Sequence, residues 1–163
     1  MRAIVPVTAG IAVMAVLGVV LAARGGSVPR SPSFAGTWAL NVTKSTYRPG
    51  PGPQSAVLNV EYEGATRHSS LATVANDGEM VTSEYVATED GKDYPIKGSP
   101  NADTISLRRV APGTIERIDK RRGQVVMILT LRLSQDGRTM NITQQGVTAS
   151  GDMVSNTMVY ERR

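Results

Sequence analysis

From Phe34 to the C-terminus, turn signals divide the chain into ten short runs, and no connection between them is long enough for a crossover helix. The runs are "TWALNV", "AVLNVEYE", "RHSSLATVA", "EMVTSEYVA", "YPIKG", "TISLRRV", "TIERIDKR", "VVMILTLRLS", "TMNITQQGV" and "DMVSNTMVYER". They are rich in Val, Ile, Thr and Tyr, which suit extended backbone. The punctuation includes Asn76-Asp77-Gly78, Glu89-Asp90-Gly91, Ala111-Pro112-Gly113, Gln135-Asp136-Gly137 and Ala149-Ser150-Gly151. The Asp-Gly pairs among them suit tight hairpins, because both residues tolerate positive φ. The longest gap, "KSTYRPGPGPQS", is too proline-rich for a helix interior. It reads as a stiff connector across one end of the fold. Parallel neighbours would need a crossover of about a dozen residues, so the runs must pair as antiparallel hairpins. A meander of this length either closes on itself or leaves edges open to aggregation. The expected fold is an all-β, antiparallel up-and-down barrel of about ten strands, with a Greek-key sandwich as the alternative.

Alternation assigns faces within the runs, because successive side chains of a strand point to opposite sides. In "VVMILTLRLS", Val125, Met127, Leu129, Leu131 and Leu133 form one apolar stripe, which should face inward, and Arg132 falls on the outer face. The same pattern turns Trp38, Leu40 and Val42 inward, with Leu58, Val60 and Tyr62. Ile105, Leu107, Met140, Ile142, Val154, Met158 and Tyr160 follow. "RHSSLATVA" has small side chains on both faces and would leave space inside rather than fill it.

The first 33 residues differ in kind. Ala3 to Ala22 carry no charge, follow a basic start, and give way to "ARGGSVPRSPS". Residues 1–23 therefore read as a secretory signal peptide or, if uncleaved, a membrane anchor. Residues 24–33 read as a flexible linker, and 34–163 as the folded domain. The chain has no cysteine, so a lipoprotein-type attachment is excluded. Disulfides cannot help the exported domain, and its core must hold it together alone. Three of the 18 basic residues (Arg2, Arg24 and Arg30) precede the domain, which leaves 15 against 14 acids. The domain is near neutral, and the basic balance of the whole chain does not argue for a nucleic-acid partner. Membrane contact is confined to residues 3–22 if they stay attached. Oligomeric state is left open.

Two motifs carry a resemblance. "GTW" at the start of the first run and "VYER" at the end of the last resemble the calycin superfamily of lipocalins and fatty-acid-binding proteins. The resemblance implies that Trp38 closes one barrel end, that Gly36 serves this closure, and that Arg162 packs across the indole. A cation over a ring face contributes about 0.5–2 kcal/mol. The strand count resembles the ten-stranded fatty-acid-binding branch. The "FAGTW" start together with "DGKDYPIKGSPNADT" at 90–104 is similar to exported bacterial lipocalin-like proteins of uncharacterised activity. The fatty-acid-binding branch has an inward arginine two residues before the last-strand tyrosine. Here Met158 stands at that position before Tyr160, and a second family arginine would correspond to the outward Arg132. The resemblance therefore does not carry that branch's carboxylate capture to this chain.

Catalytic chemistry finds few partners. The sole histidine, His68, has Ser69 on the opposite face and Ser70 about 6–7 Å along the strand. No nucleophile with an adjacent base is expected. The acids Glu89, Asp90, Asp93 and Asp103 fit no EF-hand spacing, and one histidine without cysteine does not suggest zinc. No metal or cofactor is expected. The run "DKRRG" at 119–123, with Arg108, Arg109 and Arg117, is a candidate patch for anionic headgroups or envelope polymers. The plainer reading is a solvated hairpin tip, where Lys and Arg also discourage edge pairing.

The resulting expectation is an exported, non-catalytic protein holding a small apolar or amphipathic ligand inside the barrel. Trp38, Tyr62, Tyr85, Leu129, Leu131, Met140, Met158 and Tyr160 are the expected lining. The alternative is an envelope structural or interaction module whose barrel is filled by its own side chains.

Overall fold

The structure, a computed structural model, describes residues 32–163. The expected signal or anchor at 1–23, and all but the last two residues of the expected linker at 24–33, lie outside the described residues. Ten strands follow: β1 Gly36–Leu40, β2 Ser55–Glu63, β3 Thr66–Val74, β4 Met80–Thr88, β5 Asp90–Lys97, β6 Thr104–Ala111, β7 Thr114–Arg121, β8 Gln124–Leu133, β9 Thr139–Val147 and β10 Met153–Arg162. Each pairs antiparallel with its sequence neighbours, and β1 pairs with both β2 and β10 to close the barrel. At the closure Trp38 lies opposite Leu58 on one side and Arg162 on the other. No edge is left to template aggregation. The seam between β4 and β5 is the thinnest, with only Glu84–Lys97 and Tyr85–Ile96 in register.

In a closed meander the hairpins alternate between ends. The β2–β3, β4–β5, β6–β7 and β8–β9 turns share the end that holds Phe34 and Trp38. The connector from β1 to β2 and the loop from β5 to β6 lie at the other end. Every expected run forms a strand, and most of the expected inward residues are buried. Leu58, Val60, Ile105, Leu107, Met127, Leu129, Leu131, Met140, Ile142 and Tyr160 belong to the core. Leu40, Tyr62, Leu133, Val154 and Met158 are partly buried against it.

Two residues expected inward face solvent instead. Val42 is 41% exposed, because β1 stops at Leu40 and the Asn41 side chain accepts hydrogen bonds from the Lys44 amide and the Thr43 hydroxyl. Those bonds turn the chain into one 3-10 turn, Val42–Lys44. Val125 is 54% exposed. Its strand carries an extra residue, since Asp119 pairs with Met127 and Lys120 with Val125. Beyond such a bulge the alternation reverses. Arg132 lies outside, as the apolar stripe requires.

Candidate functional site

The barrel has a stoppered end and a hollow interior. At the stopper Trp38 is fully buried, and its indole Nε1–H donates to the Phe34 carbonyl at 2.9 Å. The Arg162 guanidinium stands 4.2 Å from the indole centroid. Each of its nitrogens donates to a carbonyl: Nε to Gly137 at 2.8 Å, Nη1 to Ala35 at 2.5 Å and Nη2 to Ser33 at 2.6 Å. Gly36 sits at φ +132°, and a Cβ there would collide with Arg162 Nη1. Glycine at this position lets the guanidinium reach the carbonyls around it. Gly36, Trp38 and Arg162 thus form one unit, with Phe34 buried beside them.

Above the stopper lies a cavity of about 340 Å³. Its mouth is bordered by Tyr47 and Pro53 of the proline-rich connector and by Ser99, Pro100 and Asn101 of the β5–β6 loop. The connector is pinned to β10: Thr46 exchanges backbone hydrogen bonds with Thr157 at 2.7 and 2.9 Å, and Ser155 N–H donates to the Arg48 carbonyl at 2.8 Å. Gly52 packs so closely under the Tyr47 ring that a Cβ would not fit. Leu58, Leu71, Leu129, Leu131, Ile142 and Met158 supply apolar wall.

The lining is less apolar than alternation implied. Arg67 and Ser69 of β3, Arg117 and Asp119 of β7, and Gln144 of β9 all border the cavity. Arg117 binds Asp119 through two hydrogen bonds, Nε–Oδ1 at 2.5 Å and Nη2–Oδ2 at 2.9 Å, and lies 5.2 Å from the Tyr85 ring centroid. Burial by itself would lower the Arg117 pKa. The Asp119 carboxylate, with help from Tyr85, more than offsets that, and the guanidinium titrates above its ordinary value. Burial pushes the Tyr160 phenol well up; the nearby Tyr47 adds to this and Arg117 opposes it. Gln144 donates to the Met127 sulfur and accepts from Asn156 Nδ2 at 2.9 Å.

Of the expected lining, Tyr85, Leu129, Leu131, Met158 and Tyr160 border the cavity, whereas Trp38, Tyr62 and Met140 do not. Trp38 and Met140 are fully buried in the packing beneath it. The Tyr62 hydroxyl donates to Glu89 Oε1 at 2.6 Å, and Glu89 also pairs with Arg109 at 2.7 Å. Burial, with Glu89 adding and Arg67 opposing, pushes the Tyr62 phenol up to about 12.

The candidate basic patch does not assemble, and the run forms a hairpin tip. Arg117 and Asp119 point into the barrel, Lys120 pairs with Asp93 at 2.8 Å, and Arg121 donates to the Pro100 carbonyl. Arg122 and Gly123, both at positive φ, make the tight turn at the tip. The acids weighed for calcium are likewise dispersed: Asp93 goes to Lys120, Glu89 to Arg109, and Asp103 accepts from the Arg122 amide. Among the described residues no three metal-ligating side chains come together. His68 lies outside, 3.9 Å from Glu63. It borders an open groove of about 390 Å³ over the β4–β5 seam, and this groove shares Ser69 and Tyr85 with the interior cavity.

A scan against protein-family models finds no match, and a search of curated proteins finds none either. Among solved structures the chain is similar to the zebrafish ileal bile acid-binding protein in complex with cholic acid. The similarity has 12% identity and a TM-score of 0.47, and it covers 80% of this chain and 98% of that one.

Proposed function

We propose that this chain is an exported, non-catalytic binding protein that holds a small amphipathic molecule inside its barrel. The observation that carries the reading is the cavity of about 340 Å³, open at one end. Ligand sites are commonly about 300–1,000 Å³ and combine apolar walls with a few polar groups. Leu129, Leu131 and Met158 take the apolar part, driven by its removal from water. Tyr85 and Tyr160 contribute the polar edges of the same wall. Trp38, Gly36 and Arg162 seal the end, and Tyr62 and Met140 support the site without touching the ligand. A volume of this size weighs against the alternative of a barrel filled by its own side chains and acting only through its outer surface.

The test is native mass spectrometry of the full-length protein after incubation with a total lipid extract. The expected result is a retained small molecule, absent from a Leu129→Trp variant that fills the cavity but still melts cooperatively. An intact barrel that retains nothing overturns the reading. Export rests on residues 1–23 and is tested separately by N-terminal sequencing of the protein from fractionated cells. A mature start near residue 23 or 24 supports a cleaved signal. Intact Met1 in the membrane fraction supports an anchor, and intact Met1 in the cytosol overturns export.

A further inference from the structure

The two borders of the mouth are held in different ways. On one side the connector is bonded through its backbone at both ends: Thr46 exchanges hydrogen bonds with Thr157, the Arg48 carbonyl accepts from Ser155, and Gln54 N–H donates to the Val74 carbonyl at 2.9 Å. The Arg48 amide also donates to Asn156 Oδ1 at 3.0 Å. Pro49, Pro51 and Pro53 stiffen the residues between. On the other side the β5–β6 loop is fastened at its ends and loose in its middle. Gly98, at φ +71°, lies so close to the Thr82 carbonyl that a Cβ would collide with it. Ala102 is buried, Asp103 N–H donates to the Lys120 carbonyl at 2.9 Å, and Asp103 Oδ2 accepts from the Arg122 amide at 2.8 Å. Between these ends Ser99 Oγ accepts from the Asn101 and Ala102 amides at 3.4 and 3.2 Å, which makes residues 99–101 one preformed turn. Among the described residues, two solvent-exposed hydrogen bonds join this turn to the rest of the barrel. Arg121 Nη1 donates to the Pro100 carbonyl at 3.1 Å, and Asn101 Oδ1 accepts from the Ala149 amide at 3.0 Å. The β7–β8 hairpin stands between the β5–β6 loop and the β9–β10 tip, so the turn must lean across the mouth to reach Ala149.

We infer that residues 99–101 are the gate of the cavity: they swing on Gly98 and Ala102 when the Asn101–Ala149 latch opens, while the proline-rich connector stays in place. The inference rests on the binding reading above and adds to it the route by which the ligand enters and leaves. An exposed hydrogen bond exchanges its protein partner for water at little net cost. A segment tied down only by such bonds opens far more often than the paired sheet around it. Fixed ends and a loose middle confine the motion to a few residues, and Gly98 and Ala102 are small enough to absorb the change in φ and ψ.

The test is stopped-flow fluorescence of the full-length protein with N-phenyl-1-naphthylamine, a neutral apolar dye. The chain has no cysteine, so Asn101→Cys with Ala149→Cys introduces a single thiol pair that locks the turn to the tip. Oxidation is expected to slow uptake and release by at least about 10-fold with affinity within about twofold, and reduction restores both rates. Asn101→Ala, which removes the latch alone, is expected to speed both by about three- to fivefold. Gln54→Ala removes an equally exposed bond on the connector side, from Nε2 to the Asn76 carbonyl at 3.0 Å, and leaves both rates within about twofold. Should the disulfide fail to form, the two alanine variants still decide between the borders. Rates unchanged by oxidation or by Asn101→Ala, or raised as much by Gln54→Ala, overturn the gate and leave the binding reading intact. A dye that the wild type never takes up overturns the binding reading and the gate with it.

Discussion

Two arginines on opposite sides of the Phe34–Trp38 plug show how differently one side chain can be used in one small barrel. Arg162, outside the plug, places each guanidinium nitrogen on a backbone carbonyl and covers the indole face. Arg162 stays open to solvent, and its donors are met by bonds the fold itself provides. Arg67, inside, is more deeply buried and has none of these bonds. The stopper is a finished piece of structure, whereas beneath the cavity a guanidinium is left without a hydrogen-bond partner. In general, a charge whose donors are met by carbonyls helps hold a fold together, and a buried one without partners weighs against it.

That contrast can be broken by substitution. Trp38→Ala should cost most, about 3–5 kcal/mol in urea unfolding, since it removes the largest buried side chain and orphans the Phe34 carbonyl. A loss under about 1 kcal/mol would mean the plug is not structural. Arg117→Met should cost about 3 kcal/mol, because it strands the buried Asp119 carboxylate. Adding Asp119→Leu should recover most of that loss, which would separate the paired charge from the unpaired one.

Arg162→Met should cost about 2 kcal/mol through lost hydrogen bonds and the lost contact with the indole. The same change at Arg67 should make the ligand-free protein more stable, by about 1–4 kcal/mol, because it removes a buried charge without a hydrogen-bond partner. Equal losses at the two positions would erase the distinction between them. The smallest effect is at alkaline pH. The Tyr62 phenol is held to about 12 in the folded state, above the unfolded value of about 10. The folded protein therefore keeps that proton longer, and stability present below pH 10 declines as pH rises toward 12. Tyr62→Phe should flatten the decline, measured by thermal melts across that range.

Much of the stopper was legible in the chain, because a lone tryptophan after "GT" and an arginine at the last strand's end need only alternation and closure to meet. Tyr85, Leu129, Leu131, Met158 and Tyr160 reach the cavity wall for the same reason: a period of two places a residue on a face. The polar floor was not legible. Patterning assigns the apolar side inward, and on β3 and β7 it had no clean contrast to work with. Arg67 shares its face with Ser69 and Thr73, and Arg117 and Asp119 share theirs with Ile115 while Ile118 sits on the other. The hint available was Ile115 two residues before Arg117, and it was cancelled by Ile118. Val125 misled because one extra residue in β8 reverses the alternation, and nothing in "GQVVMI" announces a bulge.

What the amino-acid order determined unaided is local: ten extended runs, the turns between them, and antiparallel pairing forced by connections too short for anything else. Which residues face the hollow, and which charges find partners there, was decided by the closed barrel. Burial and pairing depend on neighbours brought from distant strands, and the free energy of a buried ion depends on every group that surrounds it. Arg67 and Arg162 are chemically identical in the sequence, and only the tertiary fold makes one a fastening and the other an unmet charge.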